Sequence, residues 1–458
     1  MSNEICVTGG GKFLPPGHPR IKEVLSKLQL PNPEYSAAMG MRKNGKYVPV
    51  PDQYVNGARE IPADHQWRGG LMVPRKAKLG FDIDKDIDKR TCPEAERITT
   101  AKGFRMRDYQ KSALSQWLYK YDGEGVIVAP CGAGKTAMGL SAACLVDTKA
   151  LILVHTNDLA AQWVTRAKGM LNLNATQYGG GKKDTSGRIV VATFQTLERM
   201  SFTERYDLGK QFGLVITDES HHVPSRTFSM VMFAMPARYR LGLTATPERP
   251  DGLTEMMWWH IGECVYEITN QQLSKSGHVV MPKIEWFFTQ WPGLPKKVDW
   301  SKLITAMTKD EDRNQQIINR VLKACESGRQ VLVLSDRVDH CSELAEAIAA
   351  RGIKASPLVG KMTKKQRAEV LEKANQREVQ VVCATTVADE GLDLPSLDTV
   401  VLTTPTKALG RIQQRIGRIM RPHPEKQSPV VIDCIDDIGA MRGLARKRQR
   451  LYTQIGCV

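Results

Sequence analysis

The sequence predicts an α/β protein: two tandem units built on parallel sheets, with a small β-rich accessory module ahead of them. Three observations carry that expectation. From about 100 to 270, short and nearly continuous apolar runs alternate with helix-compatible stretches, the pattern of strands covered on both faces. After a looser region over 270–310 the alternation restarts and continues past residue 430. A single Gly-rich loop joins the strand-like run Val126–Val128 to the helix-compatible run Thr136–Leu145, and the second unit has no counterpart to it. Two sheets with one such loop imply a ligand where they meet.

At 458 residues the chain is long enough for about three domains, each with its own core. The composition is globular, 41% hydrophobic and 25% charged, without low-complexity tracts or repeats. A formal charge of +16, from 65 basic and 49 acidic residues, favours a polyanionic partner. The ten cysteines are scattered singly, with neither the paired spacing of a zinc site nor the density of a disulfide-stapled domain, and suit a reducing cytosol. Met1–Cys6 lacks the basic and apolar regions of a secretory signal, and no apolar run approaches the ~20 residues of a membrane span. The expectation is a soluble, cytoplasmic protein with no membrane partner.

Residues 1–95 read as the accessory module. Ile21, Val24, Leu25 and Leu28 recur at helical spacing, so one short amphipathic helix is expected. Apolar pieces such as Tyr47–Pro51 and Leu71–Pro74 are interrupted by Pro, Gly and Asn, as in a small β-rich or irregular fold. The run Asp82–Asp88 lacks the Gly and Glu of a calcium loop, having Ile87 and Pro93 in those places, and reads as a linker or edge strand.

Residues 96–275 form the first α/β unit, with strands expected at Val126–Val128, Leu151–Val154, Ile189–Ala192, Leu214–Ile216 and Leu241–Leu243. In the loop Pro130, Cys131, Gly132, Ala133 and Gly134, backbone N–H groups and the start of the next helix face an anion. Lys135 would reach the β- and γ-phosphates of a nucleotide, and the Thr136 hydroxyl would hold Mg²⁺. Ala129 stands where the pattern's first glycine falls, a change tolerated where φ stays negative. Residues 276–458 form the second unit, with strands at Val331–Leu334, Val379–Val382, Val400–Leu402 and Val430–Ile432.

Asp218 and Glu219 end a buried strand about 80 residues after the loop. There Asp218 would hold Mg²⁺ and Glu219 would orient or deprotonate an attacking water. His222 either couples this site to its neighbours or only packs. Thr244 and Thr246 end a further strand, where hydroxyls either satisfy backbone or link the acidic pair to a nucleic-acid groove. In the second unit, Arg415, Arg418 and Arg421 recur every three residues and share a helical face. Such a stripe is a solvated face, a phosphate contact or a source of arginine fingers.

In this order the motifs resemble those of the superfamily 2 helicases. Ala129–Thr136 is similar to motif I, Asp218–His222 to motif II, Thr244–Thr246 to motif III, Thr385–Asp393 to motif V and Gln414–Arg421 to motif VI, while Arg107–Gln110 resembles the adenine-reading Q motif. The resemblance spans roughly residues 100–425 and implies two recA-like domains with ATP in the cleft between them. It implies hydrolysis by Lys135, Asp218, Glu219, Gln414, Arg418 and Arg421, with Arg107, Gln110, Gly391 and Asp393 among the nucleotide contacts. Gln162, Thr193, Gln195, Arg337 and Thr385 would by the same resemblance lie near a nucleic-acid backbone. The sequence Asp218-Glu219-Ser220-His221 is neither the DEAD nor the DEAH form. Leu159–Trp163, Arg249–Gly252 and Arg446–Tyr452 resemble the XPB/UvsW branch, and Leu30–Tyr35 looks like the start of tailed-phage enzymes of that kind.

What the resemblance implies is an ATP- and Mg²⁺-dependent DNA helicase or translocase, a monomeric motor acting on forked or branched duplex in a host cytoplasm. The alternatives are an RNA helicase, a nucleotide-gated clamp whose slow hydrolysis only times release, and the motor subunit of a larger DNA-processing machine. Residues 1–95 either grip duplex DNA beside the motor or pack against its first sheet. Trp258 and Trp259 are either core or a base-stacking wedge. Residues 400–458, with eleven Lys/Arg against four Asp/Glu, carry either a solvated terminal helix or a phosphate-tracking surface.

Overall fold

Runs of Val, Ile and Leu become strands here because branched side chains suit a pleated surface that is covered on both sides. In Glu124–Val128, Ala150–Val154, Ile189–Thr193 and Leu214–Asp218 every residue is buried. The computed structural model describes residues 6–8, 11–43, 49, 52–60, 70–79, 90–219, 223, 225–246, 252–294, 299–385, 394–406 and 409–457. The chain divides into two compact units, Met1–Ala129 with Gly134–Ile268 and Pro130–Ala133 with Thr269–Val458. No helix among the described residues is long and apolar enough to cross a membrane.

The first unit is built on an eight-stranded sheet in the order Lys182–Lys183, Thr176–Gly179, Ile189–Thr193, Ala150–Val154, Leu214–Asp218, Tyr239–Thr244, Glu124–Val128, Cys264–Glu267. Every pairing is parallel except that of the short terminal strand Lys182–Lys183. Alternate strand residues, among them Val126, Leu151, Val190 and Val215, pack with Phe194, Phe228, Val231 and Met257 of the helices on one face. The helices Lys135–Leu145 and Asn157–Leu171 also lie against the sheet. The expected strands are all present. Thr176–Gly179 and Cys264–Glu267 were not legible, because a half-exposed strand at or near a sheet margin does not need a continuous apolar run.

The N-terminal segment adds a four-stranded antiparallel sheet, Cys6–Thr8, Gly11–Leu14, Leu71–Pro74 and Arg59–Glu60 in spatial order, and the pair Gln29–Pro31 with Tyr54–Asn56. The expected helix is Ile21–Lys27, and its Val24 and the following Leu28 join Leu14, Leu71 and Val73 in a small core. Trp259, from the helix Thr254–Ile261, packs against that core, and Trp258 packs on the core of the eight-stranded sheet. Both tryptophans are therefore packing residues. The Lys76 N–H donates to the Trp259 carbonyl at 2.9 Å, and the buried Arg75 pairs with the buried Glu124 and donates to the Ala237 carbonyl at 2.7 Å. The segments Tyr47–Val48 and Asp82–Asp88 lie outside the described residues.

The second unit is a six-stranded, fully parallel sheet in the order Lys283–Thr289, Val430–Asp436, Thr399–Leu402, Val331–Leu334, Val381–Ala384, Ala355–Leu358. Its core joins Ile317 and Val321 of the helix Glu311–Glu326 and Leu344 and Ile348 of the helix Val338–Ala349 to Val331, Val381, Val401 and Ile432. Two buried ion pairs fix its elements. Arg313 donates to both oxygens of Asp436 at 2.5 and 3.1 Å. Arg448 donates to both oxygens of Asp433 at 2.7 and 2.8 Å, and Tyr452 donates to the same carboxylate at 2.7 Å. Arg448 of the basic terminal run thus faces inward, while Arg442, Arg446, Lys447 and Arg450 of the same helix, Gly439–Gln454, are exposed. Lys283–Thr289 falls within the stretch that read as loose, an aromatic edge strand half open to solvent.

Candidate active site

The loop after Glu124–Val128 can fold only with glycine at two places. Gly132 (φ +88°) and Gly134 (φ +80°) adopt left-handed backbone, which a side chain would strain, whereas Ala129 is outside that region. Gly134 caps the helix Lys135–Leu145, so the first helical N–H groups are turned toward the loop. Thr136 is half-buried in that first turn. Gln110 sits against the same glycine: a Cβ on Gly134 would lie 2.5 Å from its Nε2. The other end of the buried Gln110 amide accepts the Arg107 N–H at 2.9 Å, and the Arg107 guanidinium donates to the Tyr109 hydroxyl at 2.9 Å.

Lys135 folds back on its own loop, donating to the Ala129 carbonyl at 3.1 Å and pairing with Glu219 Oε1 at 3.0 Å. The acidic pair of the strand end therefore belongs to the same site as the loop lysine. Asp218 is buried, and Trp163 Nε1–H donates to its Oδ2 at 2.8 Å while Oδ1 has no hydrogen-bond partner. Burial, and next the neighbouring Glu219 carboxylate, push the Asp218 carboxyl up to about 6, against the pull of Lys135. A buried carboxylate with an unmatched oxygen is what a divalent cation compensates, so the donor set fits Mg²⁺. The described residues hold no cluster of three or more His, Cys, Asp or Glu placed for a metal.

Glu219 has φ +48°, a strained conformation for a residue with a side chain. Its N–H donates to the Leu243 carbonyl at 2.9 Å, and its Oε2 accepts the Ala245 N–H at 3.3 Å and lies 3.2 Å from the Thr244 hydroxyl. The Thr244 hydroxyl also lies 2.7 Å from the Thr246 carbonyl oxygen and accepts the Thr246 N–H at 3.2 Å. Thr244 thus satisfies backbone at Thr246 and also contacts Glu219 of the acidic pair.

Of the residues assigned to a nucleic-acid contact, Gln162 and Gln195 are exposed in the first unit. Thr193 is buried and caps the helix Phe194–Glu198, accepting the Thr196 N–H at 3.2 Å. In the second unit Thr385 is buried just past Val381–Ala384, and the Arg337 guanidinium is engaged by the Ser301 carbonyl at 3.0 Å and the Thr305 hydroxyl at 3.3 Å. Gln414 and Arg418 are half-buried on the helix Leu409–Ile419, and Arg421 follows it. The uniform arginine stripe is corrected: Arg415 is buried, because it lies nearest the apolar face formed by Ile412, Ile416 and Ile419, and Arg421 lies past the helix end. Ser220, His221, His222, Arg249–Asp251 and Thr386–Asp393, with Gly391 and Asp393, lie outside the described residues.

A phosphate loop and a paired carboxylate at strand ends of one parallel sheet, followed in the chain by a second parallel sheet bearing an arginine helix, define a two-domain helicase motor. Residues 103–249 match the family of the type III restriction enzyme res subunit, and residues 313–423 match the helicase conserved C-terminal domain. A DNA 3'-5' translocase XPB2 of Sulfurisphaera tokodaii is 28% identical over 380 residues, covering 75% of this chain and 84% of that protein. The probable helicase D10 of Escherichia phage T5 is 25% identical over 372 residues, covering 81% and 79%. The helicase domain of Pyrococcus furiosus Hef shares the fold, with a TM-score of 0.50 at 17% identity over 75% of this chain and 98% of that one. The chain thus carries the two matched domains of helicases, and its relatives include helicases of the XPB type and of a phage. Its two parallel sheets are recA-like helicase domains.

Proposed function

We propose that the protein is an ATP-dependent DNA helicase or translocase that remodels forked or branched duplexes, moving in the 3'-5' direction for which its archaeal relative is named. The observation that supports this reading most is the 3.0 Å contact between Lys135 and Glu219, the two residues to which the reading gives phosphate binding and activation of water. Residues 96–275 form the nucleotide-binding domain in this reading, residues 276–458 the second motor domain, and residues 1–95 an accessory module that adds a grip on duplex.

In this proposal Lys135 leaves the Ala129 carbonyl and Glu219 to meet the β- and γ-phosphates. Glu219, held by Ala245 and Thr244, then orients the attacking water. Gln110 and Arg107 bound the loop on the side where the adenine is read. Asp218 and Thr136 would hold Mg²⁺, which when bound offsets charge developing on the transferred phosphoryl group. Gln414, Arg418 and Arg421 supply the arginine side of the reaction, with Gly391 and Asp393 as further nucleotide contacts. Gln162, Thr193, Gln195, Arg337 and Thr385 are assigned to the strand backbone, with Gln162 and Gln195 already exposed for it.

The test is strand separation and ATP turnover on single-stranded, duplex, forked and four-way DNA and on RNA, side by side. Preference for forked or four-way DNA is the expected result. Stimulation by RNA alone would replace this reading with that of an RNA helicase.

A further inference from the structure

We propose that Trp163 is the residue that positions the metal carboxylate. The inference rests on the reading that Asp218 holds Mg²⁺. Asp218 ends the strand Leu214–Asp218, and Trp163 lies 55 residues earlier on the helix Asn157–Leu171, so only the fold brings them together. The Asp218 carboxylate is buried and, among the described residues, receives one direct donor, the indole N–H on Oδ2, while Oδ1 has none. With Oδ2 tied to a rigid ring, the plane of the carboxylate is set and Oδ1 is the oxygen left for a cation.

The choice of donor matters. An indole N–H is neutral and can only donate, so it orients the carboxylate without cancelling the negative charge a cation needs. Arginine or lysine in the same place would compete with the metal.

The ring is itself held in place. Trp163 is 2% exposed, and a Cβ on Gly139 would stand 2.6 Å from its Cη2 and 3.0 Å from Leu243 Cδ1. Gly139 lies inside the helix Lys135–Leu145, where glycine is a poor helix former. What requires it there is the indole. The helix that starts with Lys135 therefore carries at Gly139 the seat of the residue that orients Asp218.

Two replacements separate the hydrogen bond from packing. Trp163→Phe removes the N–H and part of the ring, and the benzothienyl isostere of tryptophan at position 163 removes the N–H alone. Each protein, with a non-hydrolysable ATP analogue bound, is titrated with Mn²⁺ by electron paramagnetic resonance, and the Mg²⁺ concentration for half-maximal hydrolysis and the melting temperature are measured in parallel. Both replacements are expected to weaken Mn²⁺ binding and raise the Mg²⁺ requirement by about 10–100-fold, the usual effect of removing a partner of a metal ligand. The isostere should melt as the wild type does. If the isostere binds Mn²⁺ and uses Mg²⁺ as the wild type does, Trp163 is only a packing residue and the proposal fails. Asp218→Asn is the separate control: retention of the tight Mn²⁺ site in that variant would overturn the assignment of Asp218 itself.

Discussion

Thr244 and Glu219 face each other across 3.2 Å at the ends of adjacent parallel strands, and the Ala245 N–H completes the grip on the same carboxylate oxygen. Glu219 is held there at φ +48°, a conformation that persists only when its surroundings over-determine it. The carboxylate is thus positioned by groups that lie outside its own strand.

Glu219→Gln keeps the size and polarity of the side chain but loses the carboxylate and with it the ion pair to Lys135. ATP binding should survive with turnover down by at least about 10²-fold, the scale on which a general base contributes. Thr244→Ala should lower turnover less, by about tenfold as an order of magnitude for one hydrogen bond to a charged group, with the KM for ATP unchanged. Equal losses of binding and turnover in Glu219→Gln would count against its role.

Arg418 and Arg421 differ in setting, one on the helix Leu409–Ile419 and one beyond its end. A finger residue lost to alanine costs about 10³-fold or more in turnover. Steady-state ATPase of Arg418→Ala and Arg421→Ala, with DNA affinity measured beside it, assigns each: an arginine whose loss changes only DNA affinity belongs to the nucleic-acid groove.

The buried pair Arg75–Glu124 makes the N-terminal segment part of the first unit's stability. Burial alone would raise the Glu124 carboxyl, but Arg75 and Lys76 outweigh it and hold the group at about 2, below its ordinary 4.5. A carboxyl depressed in this way contributes stability that is fully present above about pH 4.5 and lost as pH falls toward about 2. That shift corresponds to about 3 kcal/mol. Denaturant unfolding of Glu124→Gln should show a loss of this order at pH 7 and a smaller dependence on pH between 4.5 and 2 than the wild type. A chain starting at Ala95 would lack Arg75, Lys76 and the small core around Trp259, and is expected to melt lower. An unchanged melting temperature would show that the pair contributes nothing.

How much of this was legible follows the distance over which the chemistry is encoded. Lys135, Thr136, Asp218 and Glu219 could be read because a phosphate loop and a strand-end carboxylate are local patterns, each tied to one turn of backbone. The buried strands could be read because both of their faces are covered. Trp163 could not, since nothing local to Leu159–Trp163 says that its N–H meets a carboxylate 55 residues away. Nor could the inward turn of Arg448 onto Asp433, which breaks up a basic run that looked uniform. The edge strand Lys283–Thr289 was missed for a third reason: exposed Phe288 and Trp286 blur the pattern that burial imposes elsewhere.

The central claim is that the site around Lys135 drives a motor on DNA. The measurement that tests it most directly is the rate of ATP hydrolysis by the full chain, with and without forked DNA, for wild type and Lys135→Ala. Forked DNA is expected to stimulate the wild type several-fold, and a well-folded Lys135→Ala protein to hydrolyse at background with or without it. DNA-stimulated turnover by a folded Lys135→Ala protein would show that this site does not drive the motor.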